Sequence, residues 1–207
     1  FLLQWQFEGF SGTSTEIKVN TVTLKDNGQN DEPYGVKMQR LEVQIVSDLL
    51  RAADFLKEDE RAIKLLMFDE TAPPTVQIFE GYVIGEDMKD EYQDGIRTIQ
   101  IQHTDGLELL KNTPYADATG TRYKGAETIV RILGKCLEKT GIELDLSVVF
   151  DTKRDSQSLS GTVASLGTNK LNQRKFNEMT CFEILNEIAT TLNSQLFQED
   201  GKWWFIH

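Results

Sequence analysis

Leu3, Trp5 and Phe7 alternate with polar neighbours and so share one face of a strand. Ile17 and Val19 repeat that period of two, and Val22 and Leu24 resume it one residue out of phase, which predicts a β-bulge near Asn20. A turn-rich segment follows over 26–33, and then Leu41, Val43 and Ile45 mark another half-buried strand. Residues 48–56 predict a short helix. Residues 63–68 and 75–84 read as strands joined across Asp69 to Pro74, where two prolines stop any helix. The last strand of the series, 95–103, puts Ile99 and Ile101 on one face and Gln100 and Gln102 on the other. Five or six such strands with little helix predict an antiparallel barrel or sandwich.

After Asp105 the period changes. Asp105 is placed to cap a short helix carrying Leu107, Leu109 and Leu110, and Asn112-Thr-Pro114 breaks it at an expected domain boundary. Residues 125–140 space Ile129, Ile132, Leu133, Cys136 and Leu137 as one helix face, with Gly141 as the stop. Thr180 with Glu183 three residues on signals a second helix, lined by Ile184, Leu185, Ile188 and Leu192. Two short strands around Glu199-Asp-Gly-Lys202 form a hairpin, since Asp200 and Gly201 tolerate positive φ. Trp203 and Trp204, adjacent on its second strand, must point to opposite faces. The fold class expected is α+β: a mainly antiparallel β domain over 1–112, then an α+β domain over 113–207 with two helices and a closing hairpin, expected to continue beyond the chain end.

Charge changes the functional picture more than it changes the fold. The 207 residues carry a net charge of −11, and the first 112 hold 21 acids against 11 bases. A nucleic-acid partner needs the opposite sign, so none is expected. No apolar run approaches the roughly 18 residues of a membrane span, and none resembles a signal peptide. The locally basic region is the polar stretch 151–175, with Lys153, Arg154, Lys170, Arg174 and Lys175 against Asp151 and Asp155. A connection longer than about 15 residues usually binds something or is disordered, so contacts are expected there.

Candidate catalytic groups are few. His207 is the last residue, so Ser-His or Cys-His chemistry would depend on His103, whose place after Ile99 and Ile101 predicts a hydrogen-bonded structural residue. Cys136 and Cys181 lie in apolar helical patterns without a second Cys or His at ligand spacing, which predicts buried free thiols rather than zinc ligands. The segment from Gly161 to Gly167 looks like a phosphate loop only superficially, because no Lys-Ser or Lys-Thr follows the second glycine. The acidic run from Glu86 to Asp94 fails the calcium-loop register from Asp90, with Tyr92 at a ligand position and Ile101 where a bidentate Glu is needed, and is expected to be a solvated turn. No catalytic, cofactor-binding or metal residue is assigned, and the chain is expected not to be an enzyme.

Several segments together resemble the tail proteins of phages and prophages of gut anaerobes, related to the baseplate hub proteins of contractile tails. They are Phe79-Glu-Gly-Tyr-Val83, the run from Ile99 to Lys111, Thr128-Ile-Val-Arg-Ile-Leu133 with Lys139-Thr-Gly141, and Glu183-Ile-Leu185 leading to Leu196-Phe-Gln-Glu-Asp-Gly-Lys-Trp203. Their order spans about residues 40–207. The resemblance implies a structural subunit that packs around a tail axis against other tail or baseplate proteins and copies of itself, often as a trimer. It also implies assembly in the bacterial cytoplasm and residence in the virion tail, and carries over no catalytic motif or cofactor. Two other classes stay open: a carbohydrate- or peptide-binding module, which predicts exposed aromatics around a groove, and the N-terminal part of a tail-associated hydrolase, which predicts His103 in a pocket with a carboxylate and a nucleophile.

Overall fold

A computed structural model describes residues 1–7, 19–26, 33–48, 50–71, 74–93, 96–149 and 169–207. Ile17, the segment 161–167 and most of the predicted loop 151–175, with Lys153 and Arg154, lie outside them. The chain divides into two compact units, Phe1–Asn27 with Met38–Asp105, and Gly28–Lys37 with Gly106–His207.

Among the described residues the first unit forms one antiparallel sheet of six strands: β1 (Leu2–Phe7), β2 (Val19–Asp26), β4 (Gln39–Ser47), β5 (Ile63–Asp69), β6 (Val76–Gln93) and β7 (Ile96–Thr104), in the order β1-β5-β6-β7-β4-β2. Period two is realised directly. Leu41, Val43 and Ile45 of β4, Ile63 and Leu65 of β5, and Ile99 and Ile101 of β7 all point into one core and are buried. Each such side chain contributes about 1.5–3 kcal/mol by leaving water. The bulge falls where expected, since Val19 pairs with Ile45 and Thr21 with Gln44, leaving Asn20 as the extra residue.

Two local expectations are corrected here. The helix over 48–56 reduces to one 3-10 turn, Ala52–Phe55, whose Phe55 plugs the core against Trp5 and Phe7 at ring separations of 6.1 and 6.0 Å. The acidic run is not simply a turn, because β6 continues through it: Lys89 to Gln93 pair with β7 after a register shift beyond Ile84. Ladder hydrogen bonds with β7 outweigh the poor strand propensity of the acidic residues.

In the second unit, β8 (Ala126–Thr128) leads into α1 (Ile129–Leu137), and β10 (Lys170–Asn172), which pairs with β8, precedes α2 (Cys181–Thr191). α1 passes directly into a 3-10 turn, Glu138–Thr140, and it is this turn that stops on the expected Gly141, in the left-handed region at φ 78°. The capping box of α2 is complete: Glu183 N–H donates to Thr180 Oγ1 at 3.2 Å, and Thr180 N–H donates to Glu183 Oε2 at 2.7 Å. Thr180→Ala is therefore expected to lower unfolding stability by about 1 kcal/mol. Thr180→Ser should recover most of it, both read by urea titration of helical circular dichroism.

The hairpin β11 (Gln195–Glu199) and β12 (Lys202–Ile206) turns through Asp200 and Gly201, at φ 50° and 67°. Trp203 is buried beneath it, whereas Trp204 is half-buried on the other face and donates its indole N–H to Glu199 O at 2.8 Å. Two further strands complete this sheet in the order β3-β11-β12-β9: β3 (Gly35–Val36) and β9 (Asp145–Val149), each parallel to its neighbour. β3 is held by Gly35 N–H to Ser194 O, Lys37 N–H to Leu196 O and Val36 N–H to Asn186 Oδ1. Gly35 has φ 110°, and a Cβ there would lie 2.7 Å from Asn186 Oδ1, so both the backbone and the close approach require glycine.

Candidate functional site

His103 sits at the end of the β7 core face, opposite Leu41 of β4 and Val83 of β6, and is fully buried. Both ring nitrogens are engaged. Trp5 Nε1 lies 3.1 Å from Nε2, and Leu41 O lies 3.1 Å from Nδ1. An indole N–H only donates and a carbonyl only accepts, so Nε2 must be the bare nitrogen and Nδ1 must carry the proton. Burial pushes the imidazole down to about 4 from 6.5, opposed only in part by the Leu41 bond. At neutral pH His103 is thus a neutral tether that ties the edge strand β1, through Trp5, to β7 and β4.

On the opposite face of the same sheet, Glu80 is buried and takes a 2.7 Å bond from Lys64 Nζ and a 2.9 Å bond from Gln77 Nε2. Lys64 also lies over the Tyr82 ring at 5.8 Å, and burial raises the Tyr82 hydroxyl above its ordinary value. This polar cluster was not legible in the sequence, although the alternation Phe79, Gly81, Val83 puts Glu80 and Tyr82 together on the other face.

The second unit carries a larger network. Tyr115 Oη donates to Gln173 Oε1 at 2.9 Å, and Lys135 Nζ donates to the same oxygen at 3.0 Å and to Glu127 Oε2 at 3.2 Å. Gln173 Nε2 donates to Lys124 O at 3.1 Å, and Lys135 stands 4.4 Å from the Tyr123 ring centre. The Thr128 backbone N–H, followed by Lys135, holds the Glu127 carboxylate below its usual range, and burial pushes the Tyr115 hydroxyl up. Gln173 is the hub of these bonds, with both carbonyl lone pairs used. It lies in the polar stretch that periodicity cannot resolve.

The other singled-out residues fall apart in space or in role. Asp105 does not cap the turn after it, because the 3-10 helix Glu108–Asn112 begins from Leu107. Its carboxylate instead accepts the Gln39 N–H at 2.7 Å, a stronger use of a fully buried acid than a frayed helix end. Cys136 and Cys181 are buried and free. Lys175 pairs with Glu187 at 2.6 Å, and His207 Nδ1 lies 2.7 Å from Leu192 O. Among the described residues no group of three or more His, Cys, Asp or Glu side chains converges as a metal site, and no helix is long and apolar enough to cross a membrane.

The class defined by this arrangement is α+β: an antiparallel sheet with a buried histidine tether, followed by a unit whose described residues form two α-helices and a mixed sheet closed by a hairpin. No family model matches the chain, and no curated protein matches it. Among solved structures it is similar to the 43 kDa tail protein of prophage MuSo2 from Shewanella oneidensis, at 13% identity and TM-score 0.48, covering 89% of this chain and 53% of that one. A tail protein from Neisseria meningitidis MC58 is similar at 13% identity and TM-score 0.44, covering 89% and 49%. A Francisella PdpA-VgrG complex in a half-lidded form is similar at 10% identity and TM-score 0.39, covering 92% and 26%. The chain spans about half the length of the first two.

Proposed function

We propose that this chain is a structural, non-enzymatic component of a phage or prophage tail or baseplate, hub-like, that works by contacts with copies of itself and with other tail proteins. The observation that carries the reading is where the segments resembling tail proteins fall. Phe79 to Val83 forms the buried centre of β6, and Ile99 to Lys111 runs from β7 past Asp105 into the following turn. Thr128 to Leu133 is the cap and first turn of α1, Glu183 to Leu185 is the capping-box turn of α2, and Leu196 to Trp203 is the closing hairpin. The resemblance therefore follows the residues that build the two cores, as expected where architecture rather than a pocket carries the function. His103, the histidine considered for catalysis, has both ring nitrogens engaged as a tether, which fits the same reading.

The acidic surface, with a net charge of −11, supports protein partners over nucleic acid. In this reading the protein assembles in the bacterial cytoplasm and ends in the virion tail, with a threefold arrangement the favoured symmetry. Light scattering and electron microscopy of the full-length protein test it. A ring or tail particle is expected, and a protein that stays monomeric and turns over a small substrate would overturn the reading.

A further inference from the structure

β1 is an edge strand, and among the described residues it pairs on one side, with β5. Its inward side chains Leu3, Trp5 and Phe7 are only half-buried, whereas Leu41, Val43 and Ile45 on β4 are fully buried. A strand paired on one side and covered in part is among the first elements to open locally. The bond from Trp5 Nε1 to His103 Nε2 crosses the interior from β1 to β7, with β5 and β6 between them in the sheet order. One hydrogen bond thus fastens the edge of the sheet to an inner strand.

We propose that protonation of His103 is a switch that releases β1 from the sheet and lays open the backbone edge of β5, while the rest of the first unit stays folded. Donors and acceptors fix the chemistry. Neutral His103 offers Nε2 to the indole N–H and gives its Nδ1 proton to Leu41 O. An imidazolium has two donors and no acceptor, and turning the ring over does not restore one. Trp5 cannot receive the cation through its π-face either, because it presents its N–H edge, the positive rim of the ring, to Nε2. Among the described residues, Trp5 from β1, Leu65 from β5, Val83 from β6 and Leu41 from β4 share the face of His103, Phe55 of the 3-10 turn lies against Trp5, and none of them titrates. Just past β7, Asp105 is the acid on the same face, and its carboxylate accepts the Gln39 N–H at 2.7 Å. The Nδ1 bond to Leu41 is the same in both protonation states, so the conflict falls on Trp5 and through it on β1.

His103 binds its proton near pH 4 when buried and near 6.5 when exposed, so acid favours the state that frees the ring, and the open fraction of β1 should grow roughly 20-fold from pH 7 to 5. Hydrogen exchange of the full chain, read by mass spectrometry at both pH values and corrected for the intrinsic rate, tests this. The peptide over Leu2–Phe7 is expected to exchange faster by that factor at pH 5, at a rate that low urea leaves unchanged, and ahead of the peptides over β4 and β7. In His103→Gln, which keeps an acceptor for Trp5 and does not titrate, the step should vanish. The wild-type profiles decide the matter even where the variant does not fold. β1 amides that open only together with those of Ile99 and Ile101, no gain at pH 5, or an equal gain in His103→Gln would each overturn the proposal.

Discussion

Gly81→Val is expected to prevent the first unit from folding, and Gly81→Ala to cost about 3 kcal/mol, the upper end for inserting atoms into a packed site. Propensity argues the other way, because glycine inside a strand is normally worse than alanine by about 0.5–1 kcal/mol. The close approach of backbone decides the sign. A Cβ on Gly81 would press into the carbonyl oxygen of Thr104 on β7 and lie 2.7 Å from the Phe79 ring. Phe79 is fully buried, and Thr104 is held in register against Tyr82 and Arg40. Neither neighbour can retreat without opening the ladder between β6 and β7. Urea unfolding of the alanine variant measures this, and a stability equal to or above wild type would show that the strands have room to part.

The second large effect is a loss of stability on acidification centred on His103. The unfolded chain binds a proton there near pH 6.5, and the folded chain only near pH 4. Between those values the unfolded state holds more protons, so stability falls as pH falls and is fully present above about pH 7. A separation of that size is worth about 3 kcal/mol. The structural cost is plain, because a protonated Nε2 would set two donors, its own N–H and that of Trp5, against each other in a dry site. His103→Gln is expected to be less stable at pH 7 and to lose most of the slope between pH 6.5 and 4. Denaturant midpoints taken across that range give the comparison, and an unchanged slope in the variant would assign the acid sensitivity elsewhere.

The Gly81 and His103 effects start from residues that stand out in the sequence, but neither can be given a magnitude from it. The alternation around Phe79 and Ile99 puts both residues on β-strands. That Thr104 O would crowd a side chain at position 81, or that Trp5 reaches His103 across 98 positions, depends on which strands become neighbours. The Gln173 network is illegible for the same reason, since it joins residues that share no local pattern.

Local signals carried the elements whose stabilising contacts lie within a few residues. The capping box from Thr180 to Glu183, the left-handed stop at Gly141, the Asp200-Gly201 turn and the slip at Asn20 are all short-range conflicts or matches of backbone geometry, and a linear reading detects them. Gly35–Val36 as a strand of the second unit, Asp145–Val149 in parallel to β12, and the continuation of β6 to Gln93 were decided by tertiary structure alone. A two-residue strand has no period to read, and a mixed-polarity strand has none strong enough. What makes them strands is a row of backbone donors and acceptors already in place on a distant neighbour, whose hydrogen bonds these residues complete.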